Sequence, residues 1–176
     1  MVKIRQAKPG DFDKIYLLYK KVTIGTTGLA RSRDEITEQY IQSFMKNSSD
    51  SGIELVIEDH DYPNQIIAEV HCHKLVPKTF SHILSEFTIA VDPDHQGKGL
   101  GRMIFTYLLD LIKNNRPDVL RVELISRETN LKAISFYESL GFKREGKLEK
   151  RIRDEKNEFE ADIPMAWFNP NYKNPG

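Results

Sequence analysis

The segment Gln96-Gly97-Lys98-Gly99-Leu100-Gly101 limits what this chain can fold into more than any other. An apolar, strand-like run over residues 82–91 leads into it through Asp92-Pro93. An amphipathic run leaves it from Leu100, with Ile104, Tyr107, Leu108, Leu111 and Ile112 on one helical face. Glycine tolerates φ above zero and lets another molecule approach the main chain. The N–H groups of a first helical turn have no acceptor inside the helix and carry the positive end of its dipole. A strand, a glycine turn and a helix in that order therefore suit an anion, usually a phosphate, with Lys98 and Arg102 adding charge. Glycines that merely turn the chain are the bland alternative.

Two common phosphate loops do not fit. A Walker loop has lysine then Ser or Thr after its last glycine, whereas Arg102 follows Gly101. A dinucleotide fingerprint has its third glycine three residues after the second, whereas Gly97, Gly99 and Gly101 are evenly spaced. The strand before such a fingerprint usually opens its domain, and this one lies mid-chain.

Periodicity places the remaining elements. Residues 2–6 alternate as a strand, Pro9-Gly10 turns, and Asp11 is positioned to cap a helix bearing Phe12, Ile15, Tyr16 and Tyr19. Ser32-Arg33-Asp34-Glu35 has the capping-box pattern and predicts a second helix through Ile36, Tyr40, Ile41 and Phe44. Residues 53–58 and 65–75 read as strands joined by turn chemistry at 59–64. Residues 119–125 read as a strand, and a helix from about Asn130 stops at Gly141. A closing hairpin has Phe159, Ala161, Ile163, Met165 and Trp167 in alternation, and Pro164 within it predicts an edge or a bulge. The order is β-α-α-β-β-β-α-β-α-β-β, with the strand–helix–strand–helix unit supplying a parallel pair.

The 176 residues suit a single domain spanning 1–176. Lys plus Arg equals Asp plus Glu at 26 each, so the basic excess of a nucleic-acid binder is missing. The one cysteine, Cys72, forbids an intrachain disulfide and reads as a small buried residue. No stretch approaches the roughly 20 apolar residues of a membrane helix, and no apolar leader follows Met1. A cytoplasmic protein with neither nucleic acid nor membrane as partner is expected.

Two motifs at a fixed separation now point further. The first is Gln96-Gly97-Lys98-Gly99-Leu100-Gly101 after Val91-Asp92-Pro93-Asp94-His95; the second is Asn130-Leu131-Lys132-Ala133-Ile134-Ser135-Phe136-Tyr137 running on to Gly141-Phe142. They resemble the Q/R-x-x-G-x-G/A and N-x-x-A-x-x-F-Y-x-x-x-G-F patterns of the GNAT acetyltransferases. The resemblance is strong over about residues 85–142 and implies an α/β GNAT fold, a mixed sheet of about seven strands flanked by about four helices. It implies acetyl-CoA as cosubstrate, with coenzyme A pyrophosphate on the N–H groups of Gln96, Gly97, Lys98, Gly99, Leu100, Gly101 and Arg102. The pantetheine arm would bond the main chain of Ile89, Ala90 and Val91 as an added strand. Asn130 would bond pantetheine, with Ala133 and Phe136 packing near it. Tyr137 would protonate the departing thiolate, against the alternative of a core tyrosine. The resemblance also makes the loop at 24–31 acceptor-side and allows homodimerisation through the last hairpin.

Glu86 is the candidate base. Strand alternation places it with Leu84, Thr88 and Ala90, an apolar setting that asks for a reason. A partly exposed carboxylate with a basic neighbour is the equal alternative. Glu69, His71 and His73 share one strand face and would line an acceptor groove or relay protons; the plainer expectation is a solvated polar face. Spread over roughly 13 Å, they do not suit one metal ion, and no metal is expected. The reading is acetyl transfer to a primary amine by direct attack, with a non-catalytic acyl-CoA-binding or dimerisation module as the rival.

Overall fold

The computed structural model describes residues 2–24, 29, 31–59, 61–153 and 157–174, with the side chains of residues 62–64 outside the description. Among the described residues, eight strands and four α-helices follow in the order β1 (Val2–Gln6), α1 (Phe12–Val22), α2 (Glu38–Ser51), β2 (Ile53–Asp59), β3 (Tyr62–Lys74), β4 (Ile83–Val91), α3 (Leu100–Asn115), β5 (Arg121–Arg127), α4 (Leu131–Ser139), β6 (Lys143–Arg144), β7 (Leu148–Arg153) and β8 (Phe159–Phe168). The sheet order is β1-β2-β3-β4-β5-β8-β6, with β7 also pairing β8. The expected order of elements stands, with the two-residue β6 as the additional strand. His60, in the turn expected between β2 and β3, lies outside the described residues.

The chain divides into two compact units, residues 1–73 with 88–110 and residues 74–87 with 111–176. In the first, β1 and β2 pair antiparallel from Val2–Asp59 to Gln6–Leu55, and β2 and β3 pair from Ile53–Cys72 onward. Helices α1 and α2 cover this sheet because their apolar residues recur at helical spacing. Ile15, Leu18, Tyr19 and Val22 of α1 pack with Ile41 and Phe44 of α2 and with Ile36, Val56, Ile66 and Ala90. Burial of each large aliphatic or Phe side chain here contributes about 1.5–3 kcal/mol against the entropy of ordering the chain. Cys72 is fully buried, as its small apolar character suggested.

In the second unit β5 is the organising strand. It pairs parallel with the start of β4 at Ile83–Arg121 and Leu84–Val122. It pairs antiparallel with β8 from Arg121–Phe168 to Arg127–Asp162. Val122, Leu124 and Ser126 are buried, the period of two expected of a strand.

Three sequence expectations need correction. The helix after Ser32 starts later, at the N-cap Thr37, whose hydroxyl accepts from Tyr40 N–H at 3.1 Å. Glu35 does reach back to Ser32 N–H at 2.8 Å, but that box closes a turn rather than opening α2. Asp11 does not cap α1 with its side chain: the carboxylate accepts from Lys8 N–H at 2.9 Å and from the Arg5 guanidinium at 2.6 and 2.8 Å. Of the edge or bulge expected at Pro164, the edge is wrong, since β8 is paired on both sides. The register of the partner strand does shift by one residue between β6 and β7 beside it, as at a bulge. The Pro164 carbonyl accepts from Glu145 N–H, and the N–H it lacks would face the interruption between β6 and β7.

Candidate functional site

The glycine loop belongs to the first unit. Asp92 N–H bonds Ile67 O at 2.9 Å, and the Asp92 carboxylate accepts from Asp94 N–H at 2.9 Å, which starts the 3₁₀ turn Pro93–His95. Lys21 of α1 braces this turn, its ammonium 2.7 and 2.8 Å from the two Asp92 oxygens and 2.7 Å from Asp94. That pairing raises the Lys21 pKa against its desolvation and holds Asp94 below the usual carboxylate range. Lys21 was not legible as a site residue, because its partners lie some seventy positions away.

Gly97 and Gly99 take φ of +76° and +78°, which only glycine adopts without strain. A Cβ at either would meet nothing within 4 Å, so both face open space. Residues 96–99 are exposed, as is Arg102, whereas Leu100 is buried and fixes the start of α3. Met103 N–H donates to Gly99 O at 3.0 Å as α3 begins, and a helix start carries the positive end of the helix dipole. A Cβ at Gly101 would stand 3.7 Å from Ile89 Cδ1 and 3.8 Å from Val91 Cγ2, so the end of β4 flanks the first turn of α3. The Ala90 side chain is committed to the core, leaving its main chain for any ligand. Open space over two left-handed glycines, beside a helix start and a strand end, fits a pyrophosphate with a pantetheine arm.

The second motif belongs to the second unit. Asn130 caps α4, its Oδ1 accepting from Ala133 N–H at 3.1 Å, a cap contact that does not use the amide NH₂. Ala133 and Phe136 are half-buried. The Tyr137 ring packs 5.2 Å from Phe136 and 5.9 Å from Phe142, and burial pushes its phenol up to about 12. Gly141 takes φ +95° beyond the last turn, the left-handed position expected of a helix stop.

Glu86 is exposed and takes φ +56° inside β4. The alternation read from sequence therefore does not run unbroken through it. A non-glycine residue held there carries strain of about 1–3 kcal/mol, and a kink of this kind re-aims a side chain. It follows directly on the short pairing of β4 with β5.

Glu69 and His71 are not on a solvated face. They are 0% and 3% exposed, covered by α1 and α2, while His73 is half-buried. The Tyr19 hydroxyl donates to Glu69 Oε2 at 2.6 Å, His71 Nδ1 lies 3.1 Å from Glu69 Oε1, and Phe44 stacks on the His71 ring at 3.9 Å. Burial and the Glu69 charge raise the Tyr19 pKa well above that of a free phenol. Tyr40 hydrogen-bonds Arg31 and Thr88, and the Arg31 guanidinium lies 4.1 Å over the Tyr40 ring. In the expected acceptor loop at 24–31, residues 25–28 and 30 lie outside the described residues.

A family model described as an acetyltransferase (GNAT) domain matches residues 50–144, more than half of the chain and both motifs. The chain belongs to the GNAT acetyltransferase family. Among curated GNAT relatives, a [ribosomal protein bS18]-alanine N-acetyltransferase of Salmonella typhimurium is 48% identical over 56 residues, 32% of this chain and 36% of the relative. The match thus spans little more than a third of that relative's length. A spermidine N(1)-acetyltransferase of Vibrio cholerae is 32% identical over 120 residues, 66% of this chain and 62% of the relative. Among solved structures, yncA of Salmonella typhimurium, determined with its cofactor acetyl-CoA, superposes with a TM-score of 0.83 at 18% identity, covering 100% of this chain and 98% of its own. That likeness is one of fold.

Proposed function

We propose that this GNAT chain, residues 1–176 acting as one domain, transfers the acetyl group of acetyl-CoA to a primary amine by direct attack. The observation that carries the reading is the loop of residues 96–102, with two left-handed glycines facing open space where α3 begins, inside the family match. Acetyl-CoA supplies an acetyl group activated as a thioester. The relatives named for alanine and spermidine acetylation both act on amines.

Each residue then has a task. The N–H groups of Gln96 to Arg102 bind the pyrophosphate, where the helix dipole favours negative charge. The main chain of Ile89, Ala90 and Val91 orients the pantetheine arm, and Asn130, Ala133 and Phe136 complete its contacts. The ammonium of the acceptor loses a proton before it attacks, since an aliphatic ammonium has a pKa of about 10.4. Glu86, an exposed carboxylate on strained backbone, accepts that proton directly or through water. The Tyr137 phenol, held protonated by burial, donates to the departing sulfur.

Release of free thiol from acetyl-CoA, measured against a panel of amines and peptides, tests the reading, with coenzyme A binding followed by calorimetry. Acceptor-dependent release supports the transferase. Tight coenzyme A binding with no release across the panel supports the non-catalytic module, and no binding removes both.

A further inference from the structure

A cleft of about 390 Å³ opens in the first unit between the start of α1, the outer face of α2 and the beginning of β2. Ala7, Pro9, Phe12 and Met45 give it apolar walls, and Ser49 lies at its α2 side. Its size is that of a small-molecule site. Glu54 of β2 lines it and is only 8% exposed, yet its Oε1 is buried with no hydrogen-bond partner. A buried carboxyl oxygen left unsatisfied carries a desolvation cost that a donor would relieve, and none of the residues assigned to acetyl transfer uses this one.

The charges around Glu54 decide what could satisfy it. In β3, His71 stands opposite Glu54 in register, and the charge of Glu69 acts on Glu54. From α1 comes the buried Tyr19 phenol, on which the Glu54 charge acts, and from the turn before α1 comes Asp11, bound by Arg5 and by Lys8 N–H. From α2 come Lys46 and Asp50, paired with each other at the cleft mouth. Lys8 is a further cation among the described residues of the rim. The deep end thus sits in the field of two carboxylates, within apolar walls that include an aromatic ring. We propose that this cleft binds a small organic ammonium with a short apolar body, its N–H donating to Glu54 and its body packing on Phe12 and Met45.

Burial, then Glu69 and Asp11, push the Glu54 carboxyl up to about 9, so without a cationic partner it is a neutral acid at pH 7. Entry of an ammonium makes the carboxylate the favoured form, and one proton leaves Glu54 for solvent. Affinity then rises with pH below 9, by up to about tenfold per unit, while the ligand stays charged up to about pH 10.

The site is independent of the acetyl-transfer reading. Calorimetry with N,N-dimethylbutylamine, a tertiary amine that forms no stable amide, tests it without turnover. Titrations at pH 6.5, 7.5 and 8.5, in buffers of different ionisation enthalpy, should show saturable binding with release of close to one proton at the two lower values and about three-quarters of one at pH 8.5. Glu54→Gln should abolish the proton release and weaken binding at least about tenfold, the loss expected of a buried charge-assisted hydrogen bond. Ser49→Trp, an exposed α2 position at the cleft, should weaken binding similarly, and coenzyme A affinity should be unchanged in both variants. Should Glu54→Gln fail to fold by circular dichroism, Ser49→Trp and the proton count decide. Absence of saturable binding, binding without proton release, or binding unchanged in Ser49→Trp would each overturn the proposal.

Discussion

The Lys21 ammonium lies 2.7 and 2.8 Å from both carboxylate oxygens of Asp92, tying α1 to the turn that leads into the glycine loop. Asp92 is 4% exposed, and its other contacts are the Asp94 N–H and a more distant His95 Nδ1 at 3.7 Å. Replacing Lys21 by Met leaves a buried carboxylate without its main counter-charge. Breaking a fully buried pair costs about 3–5 kcal/mol. Lys21 is 40% exposed, so solvent screens part of that and about 1–3 kcal/mol is expected. Thermal unfolding should show the loss, and calorimetry a weaker grip on coenzyme A, because the turn that aims the loop is loosened.

Gly99 and Gly101 should respond oppositely to alanine. Gly99 sits at φ +78°, where a side chain costs about 1–2 kcal/mol and would enter the space proposed for the pyrophosphate. Gly101 is inside α3, and an added Cβ there makes only ordinary contacts with Ile89 and Val91. Gly99→Ala should therefore lose about tenfold or more in coenzyme A affinity, the equivalent of about 1.4 kcal/mol. Gly101→Ala should keep its affinity and gain up to about 1 kcal/mol from helix propensity. Equal behaviour of the two in calorimetry would remove the loop assignment.

Much of this was legible because the signals are local. Helical spacing marked α1 and α3, period two marked β1 and β8, and left-handed glycines were foreseeable at Gly97 and Gly99 from their place between a strand and a helix. What could not be read depends on partners far apart in the chain. Glu69 and His71 read as a solvated face because alternation shows which residues share a side, not what covers it; here α1 and α2 do. Pro164 read as an edge or a bulge, and sequence does not show which, because the interruption and register shift beside it belong to the separate strands β6 and β7. Glu86 was visible as a polar residue in an apolar strand, but its left-handed backbone was not, since glutamate seldom adopts it.

Tyr137→Phe separates the acid from the core residue. Phenylalanine keeps the ring packing on Phe136 and Phe142 and removes only the hydroxyl. Loss of a general acid costs about 10²-fold or more in turnover, so kcat should fall by that order while coenzyme A affinity stays the same. With the phenol at about 12 it remains protonated throughout the working range. In the wild type, an alkaline limb of kcat below pH 11 should therefore not arise from Tyr137. Unchanged turnover in the variant would place Tyr137 in the core alone.

Gly52 is constrained by space rather than by φ. A Cβ there would stand 1.9 Å from Cys72 O and 2.7 Å from His73 Cα, both main-chain atoms of the neighbouring strand. Main chain held in a β ladder cannot step aside as a flexible side chain can. Gly52→Ala should destabilise by about 1–3 kcal/mol, the cost of overpacking, measured by urea unfolding. Adding Cys72→Ala should not restore stability, because the obstructing atoms remain.

Glu54 gives stability a pH dependence of definite sign. Its folded pKa is raised from 4.5 to about 9, so between those values the folded chain holds a proton that the unfolded chain has released. The unfolded state then binds fewer protons, and stability falls as pH rises through that window, by at most about 1.4 kcal/mol per unit. The contribution is fully present below pH 4.5 and is lost by about pH 9. Glutamine keeps the size and cannot ionise. Relative to wild type, Glu54→Gln should gain stability steadily from pH 5 to pH 9 and no further above it. Urea unfolding of both proteins at pH 5, 7, 9 and 10 measures this difference, and parallel curves would mean that Glu54 ionises as freely in the folded chain as in the unfolded one.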